Sequence, residues 1–273
     1  MTIWIVLGDT GFLGSAFSRS LINSGKDFVG LNRQRIVTLK SGIKVEFPRK
    51  NLDLFSEILP YLSEDCIVIN TIWGNNNREF RDSIVQQVNS ESEISLIDKL
   101  EGSNVRYVSF GSIAEIDDFE ISPSCGTEYA RAKKMIAKRM FESNLTTFWI
   151  RVASSYGPND HRDWLVPQLL NNWRVKQDLH LQNPDQIVNL YFVDSLVAAS
   201  LEVIRLRKSG SFNAASIQWL TVEDVKKCFN NLTEPEYVSR TLGPFSSTDP
   251  NRVLIESPPV SKYFAECQRI HKS

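Results

Sequence analysis

The chain has 273 residues, of which 42% are hydrophobic and 23% charged, with a formal net charge of −1. That composition builds an ordinary globular core and excludes disordered, collagenous and disulfide-dense classes. The near-neutral balance supplies no broad basic surface, which speaks against nucleic acid as a partner. The four cysteines (Cys66, Cys125, Cys228 and Cys267) form no CxxC pair, and His161, His180 and His271 are scattered, so no zinc-ligand spacing exists. No apolar run approaches membrane-spanning length, and Ile3-Trp4-Ile5-Val6-Leu7 is too short for a signal peptide and lacks its basic start. A reduced, soluble, cytoplasmic protein is expected.

Through the first half, short apolar runs alternate with helix-period segments. Strands are expected at Ile3–Leu7, Phe28–Leu31, Lys44–Phe47, Cys66–Thr71, Val105–Phe110 and Thr146–Val152, and helices at Phe12–Ser24, Asp53–Leu62, Asp82–Leu100 and Glu128–Asn144. Ile67-Val68-Ile69 reads as a strand buried on both faces. This alternation predicts an α/β fold, a doubly wound parallel sheet over residues 1–155. Residues 156–273 are expected to form mainly a smaller substrate lobe, with part of 187–215 returning to the sheet. There the pattern predicts helices at Leu165–Val175, Ser195–Leu206 and Thr221–Phe229, and strands at Asn189–Val193 and near Ser211–Ala214. Thr221 can cap its helix, with Glu223 and Asp224 in the first turn. Thr241–Pro259, rich in Pro, Ser, Thr and Asp, is expected to wrap the surface.

Gly8-Asp9-Thr10-Gly11-Phe12-Leu13-Gly14 joins the first strand to the first helix. Gly8 permits the turn off the strand, Gly11 lets backbone approach a pyrophosphate, and Gly14 lets the helix pack against the sheet. The helix N-terminus then holds the phosphates of a dinucleotide. The second strand ends Gly30-Leu31-Asn32-Arg33-Gln34-Arg35, where an acid usually bonds the adenosine ribose. Asn32 does not repel a 2′-phosphate and Arg33 can pair with one, which favours NADP(H) while leaving NAD(H) possible. The plainer reading leaves Arg33 and Arg35 as solvated surface charges.

Tyr129 and Lys133, four apart at the start of a helix, share one face. A nearby cation favours the phenolate and brings a tyrosine within reach of proton exchange near neutral pH. The spacing alone is weak, but it falls on the helix after the strand that carries Ser109 and Ser112.

With these residues in view, the sequence resembles the extended short-chain dehydrogenase/reductases, the NAD-dependent epimerase/dehydratase family. Gly8–Gly14 resembles the GxxGxxG loop, and Asp53-Leu54 the adenine-contacting Asp-Leu after the third strand. Asn89 sits at the family's structural Asn. Gly111-Ser112-Ile113-Ala114-Glu115 is similar to the segment with the catalytic Ser, and Tyr129 and Lys133 match its YxxxK pair. Arg151 through Tyr156-Gly157-Pro158 is similar to the segment beside the nicotinamide, and Tyr191-Phe192-Val193-Asp194 to a later strand ending in Val-Asp. The resemblance implies hydride transfer between a nicotinamide and a carbinol or keto carbon. Tyr129 would exchange the oxygen's proton, Lys133 would support Tyr129 and bind the nicotinamide ribose, and Ser112, with Ser109 in reserve, would bond the substrate oxygen. For Asn89 a helix-surface role and a proton-relay role stand side by side.

Several positions depart from the family. Ile116 replaces an aromatic residue, Ser154 a frequent substrate-holding Asn, and Val188 or Asn189 a diphosphate-binding Arg. Arg252 resembles the second such arginine. The absence of Asp-Glu after Ser112 argues against a sugar 4,6-dehydratase. His161-Arg162-Asp163-Trp164 either lines the substrate mouth or forms a surface turn, and Cys125 is read as a packed thiol. The expected function is reduction of a keto group on a sugar, a 4-keto-6-deoxy nucleotide-sugar in the leading form, with NADPH. The alternatives are an epimerase of the same family with tightly bound NAD, and a non-catalytic NAD(P)-sensing protein. Homodimerisation through the two long helices is implied by the resemblance.

Overall fold

A computed structural model describes residues 2–32, 36–38, 44–45, 54–62, 65–74, 78–116, 126–160, 163–206, 209–216, 219–232 and 251–272. Strands β1 (Ile3–Leu7), β2 (Phe28–Leu31), β5 (Cys66–Asn70), β6 (Arg106–Ser112), β7 (Thr146–Val152), β10 (Gly210–Ser216) and β12 (Arg252–Ile255) lie parallel in the order β12-β10-β7-β6-β5-β1-β2. Two short strands, β3 (Ile36–Thr38) and β4 (Lys44–Val45), continue the β2 edge antiparallel. Every residue of β5 is buried, as a continuous apolar run requires when helices cover both faces of a parallel sheet.

One face is covered by α1 (Phe12–Asn23) and α6 (Val193–Leu206), which pack Phe17, Leu21, Leu196 and Val197 against Val6, Ile69 and Phe110. The other carries α2 (Leu54–Ile58), α3 (Val85–Leu100) and α4 (Glu128–Glu142), which bury Leu96, Ile97, Ile136 and Met140 against Val68, Tyr107 and Trp149. A smaller layer joins β8 (Ser154–Tyr156), β9 (Ile187–Phe192) and β11 (Trp219–Thr221) to helices α5 (Leu165–Arg174), α7 (Val222–Asn231) and α8 (Val260–Lys272). Thr221 caps α7 as its sequence predicts, its hydroxyl accepting from the Asp224 amide at 3.0 Å.

Two expectations are corrected. Part of the Thr241–Pro259 stretch is not surface wrapping: Arg252–Ile255 adds a parallel strand beside β10, and Ile255 is buried in the core. Its composition is poor in periodic apolar residues because only one strand's worth of it reaches the sheet. Within 187–215, the β10 segment joins the main sheet, whereas β9 joins the small one. Lys44–Phe47 is expected as a parallel strand. Lys44 and Val45 pair antiparallel at the edge, and the rest of that run lies outside the described residues.

The order reverses beside β1: β2 lies on one side, and β5 through β12 extend on the other. A crevice opens at the carboxyl ends of the strands at such a switch point. Phe17 shows how α1 is fixed there, since its ring is fully buried with its centroid 5.6 Å from that of Phe110. Phe17→Ala is expected to cost about 3–5 kcal/mol of stability, by lost transfer energy and cavity formation. Urea denaturation checks this, as a lower midpoint at unchanged slope.

Candidate active site

The glycine loop leaves β1 at the crevice. Gly8 has φ +85°, donates its N–H to the Leu31 carbonyl at 2.7 Å and accepts from the Gly11 N–H at 2.8 Å. A Cβ on Gly14 would stand 2.0 Å from the Gly8 carbonyl oxygen, so only glycine allows α1 to start this close to the strand. Helix α1 has no side-chain hydrogen bond at its N-cap, Gly11, and no acid in its first turn. Thr10 and Gly11 are exposed, and Phe12 and Leu13 are half-buried beside them. This open, positive helix end fits a dinucleotide's pyrophosphate. Arg33 and Asp53 lie outside the described residues, and Leu54 opens α2 against the second core.

Asp9 adds a feature that sequence reasoning missed. Its carboxylate crosses to the end of β2, where it accepts from the Asn32 side-chain amide at 2.7 Å. A Cβ on Gly30 would meet it at 2.2 Å. A carboxylate therefore stands at the strand end although β2 itself supplies only an amide. An acid inside the loop paired with an amide at the strand end was the signal available.

Ser112 closes β6 and caps the turn after it, its hydroxyl accepting from the Ala114 N–H at 3.2 Å. The side chain of Glu115 returns to the Ser112 N–H at 3.4 Å, completing a capping box. Ser-x-x-Glu is legible in the sequence as that box. Glu115 is buried, and its carboxylate also accepts from Trp149 Nε1 at 2.7 Å and from Arg151. The segment bearing Ser112 is thus anchored from below. Ser109, by contrast, is buried against Glu93, and burial beside that carboxylate holds the neighbouring Tyr107 phenol well above its usual range.

Tyr129 and Lys133 straddle this segment from α4. Thr127 caps the helix, accepting from the Ala130 N–H at 3.4 Å, and the Tyr129 N–H donates to the Arg81 carbonyl at 2.9 Å. The Tyr129 ring packs with Ala114, two residues after Ser112, while Lys133 Nζ donates to the Phe110 carbonyl at 2.7 Å, two residues before it. Trp73 fills the space between them: Lys133 Nζ lies 3.5 Å above its ring, which meets the Tyr129 ring edge-on at 5.5 Å. Arg81 stacks on the opposite partner, its guanidinium 3.8 Å from the Tyr129 ring centroid. Trp73 and Arg81 carried no motif that would have singled them out.

A cavity of about 250 Å³ opens beside this group, lined by Ser112, Ser154, Arg81, Trp164, Val188 and Asn189 among others. The amide of Asn189 is tied in both directions to the Ser216 backbone at 3.0 Å, joining the small sheet to β10. The amide of Asn89 clasps the Gly74 backbone at 2.8 and 3.2 Å, holding the loop after β5. Arg252 sits away from the lining, at the start of edge strand β12 opposite Asn213. His161 and Cys125 lie outside the described residues. Among the described residues no cluster of His, Cys, Asp and Glu could hold a metal, and no helix is long and apolar enough to cross a membrane.

The family model described as "NAD dependent epimerase/dehydratase family" matches residues 4–215. The chain belongs to that family. CDP-abequose synthase of Yersinia pseudotuberculosis is 23% identical over 235 residues, covering 83% of each chain. Among solved structures, MoeE5 in complex with UDP-glucose and NAD superposes with a TM-score of 0.72 at 18% identity, over 100% of both chains. The UDP-glucose 4-epimerase of Thermotoga maritima, solved with UDP-glucose, gives 0.71 at 15% identity, again over 100% of both. At such identities these likenesses establish the Rossmann-type α/β fold alone. The family's description names NAD as the dinucleotide and epimerases and dehydratases as its enzymes.

The closeness of Gly14 to Gly8 sets the first test. Gly14→Ala forces the loop backbone to move, and the dissociation constant for a nicotinamide dinucleotide is expected to rise at least tenfold. Calorimetric titration reads this, with circular dichroism confirming that the sheet is kept.

Proposed function

We propose that this chain transfers hydride at a carbinol or keto carbon of a nucleotide sugar bound in the Ser112–Ser154 cavity. The supporting observation is that Tyr129 and Lys133 flank Ser112 at the switch point where the glycine loop also ends. Tyr129 gives or takes the proton of the sugar oxygen, and Ser112 hydrogen-bonds the same oxygen. The loop of Gly8 to Gly14 holds the pyrophosphate, and Lys133 sits within the same turn as Tyr129 to meet the nicotinamide ribose. When bound, the nicotinamide supplies and accepts the hydride. Tyr129→Phe removes the exchangeable proton but little else, so turnover is expected to fall by about 10²–10⁴. Cofactor affinity should stay within a few-fold. Chromatography and NMR of the product sugars from UDP-, CDP- and dTDP-sugars follow epimerisation, nicotinamide absorbance follows net reduction, and unchanged turnover by both readouts would sink the assignment.

Two net reactions use this machinery. Keto-sugar reduction with NADPH rests on Arg33 at the end of β2. Epimerisation, in which a retained NAD returns its hydride to the other face, is favoured by Asp9. Its carboxylate at the end of β2 is suited to accept from ribose hydroxyls and to repel a 2′-phosphate. We therefore place NAD(H) and epimerisation first, with NADP(H)-dependent reduction second.

The choice is testable by titrating NADH and NADPH into protein freed of nucleotide. NADH is expected to bind more tightly. Asp9→Asn should erase that preference by roughly ten- to a hundredfold, the worth of a hydrogen bond to a charged group. Tighter NADPH binding that is lost in Arg33→Ala would instead make the enzyme a reductase.

A further inference from the structure

Arg81 stands in an arrangement that proteins normally avoid. The residue is only 7% exposed, yet among the described residues its guanidinium has no ion pair and no side-chain hydrogen bond, and Nε is buried without an acceptor. What it has instead is aromatic: the Tyr129 ring at 3.8 Å and the Trp164 ring at 5.1 Å. Cation–π contacts recover part of the lost hydration, but a buried charge without a counter-charge remains costly. The paired arginine nearby makes the contrast: Arg151 is held by the buried Glu115.

The same Arg81 lines the cavity with Ser112 and Ser154. The missing counter-charge is therefore expected to arrive from the cavity side. A guanidinium presents paired N–H groups that match the two oxygens of a carboxylate or phosphate, which suits it to a planar anion better than an ammonium. Because it rests on the ring of Tyr129, an anion held there would lie close to Tyr129.

We propose that Arg81 is a substrate-specificity residue that pairs with an anionic group carried by the sugar, a carboxylate on the ring or the glycosyl phosphate. This rests on the reading of the cavity as the sugar site. It predicts that an acidic sugar or sugar phosphate is preferred to its neutral counterpart.

The probes are glucose, glucuronate and glucose 1-phosphate, titrated separately into NAD-loaded wild-type protein, Arg81→Gln and Arg81→Lys, with binding followed by tryptophan fluorescence and saturation-transfer NMR. At least one anionic sugar is expected to bind wild-type protein tenfold or more tightly than glucose. Arg81→Gln should abolish that advantage, with glucose binding unaltered, and Arg81→Lys should restore only part of it. Glucuronate showing the advantage identifies a ring carboxylate, and glucose 1-phosphate showing it identifies the glycosyl phosphate. Thermal denaturation without ligand supplies a second readout. Removing an unpaired buried charge should leave Arg81→Gln at least as stable as wild type, whereas a purely structural arginine would lower the midpoint. Equal binding of all three sugars by wild type and Arg81→Gln, or marked destabilisation of the ligand-free variant, overturns the proposal. If wild-type protein binds none of the three, the reading of the cavity as a sugar site fails with it.

Discussion

The approach of Gly14 to the Gly8 carbonyl governs how everything else is placed. A single added carbon there would stand 2.0 Å from a backbone oxygen, and neither partner can swing aside as a side chain can. Helix α1 can lie on the sheet only because that carbon is missing, and its N-terminus consequently points along the carboxyl ends of β1 and β5. The carboxyl ends of β5, β6 and β7 open into the same crevice, with Trp73 just after β5, Ser112 closing β6 and Ser154 opening β8 two residues after β7. The parallel register then does the rest. Ser112 at the end of β6 is level with Val152 of β7, so the residues just beyond those strands share one depth in the crevice.

Charge is handled in two ways around that crevice. Beneath Ser112, Glu115 is buried and fully engaged, by Trp149, Arg151 and the Ser112 backbone. Such an arrangement holds a segment in one conformation, because any rearrangement would leave a carboxylate in a low-dielectric interior. Above Tyr129, Arg81 is buried against aromatic rings and, among the described residues, has no acidic partner. Lys133 lies between these extremes, bonded to one carbonyl and resting on the face of Trp73. A scaffold that anchors its anion from within and leaves a cation open towards the cavity is organised for ligands of negative charge. Stability given up at Arg81 is the form a binding site takes before its ligand arrives.

Much of this was readable from the sequence, and the exceptions have physical causes. Continuous apolar runs such as Ile67-Val68-Ile69 announce a sheet covered on both faces, and the glycine loop and the Tyr129–Lys133 spacing mark the proposed site on it. Strand β12 escaped because an edge strand buries little: of Arg252–Ile255 only Ile255 is fully enclosed, and the surrounding prolines and serines dominate the local pattern. Asn89 could be placed on its helix, but nothing in its neighbours reveals that its amide spans to Gly74, fifteen residues away. Arg81 was invisible for the same reason, since its meaning comes from Tyr129 and Trp164, which lie far from it along the chain. Glu115 was legible, through the Ser-x-x-Glu spacing, once Ser112 was taken as a cap as well as a catalytic candidate.

Under the proposed preference for NAD(H), the pair formed by Asp9 and Asn32 would keep a chemical role through a change of residue type at its usual position. An acid at the end of β2 would hold a ribose hydroxyl directly. Here that position carries an amide, and read along the chain alone it argues for a phosphate there, with Arg33 as its counter-ion. In three dimensions the amide of Asn32 donates to Asp9 and fixes a carboxylate over Gly30, where the absence of a Cβ leaves room for it. The negative charge has moved from one strand end to the adjoining loop while staying at the same corner of the crevice. Electrostatics acts through distance and solvation, not through sequence position, so a 2′-phosphate would meet the same repulsion from either residue. The amide is then the support for the acid and no longer its replacement.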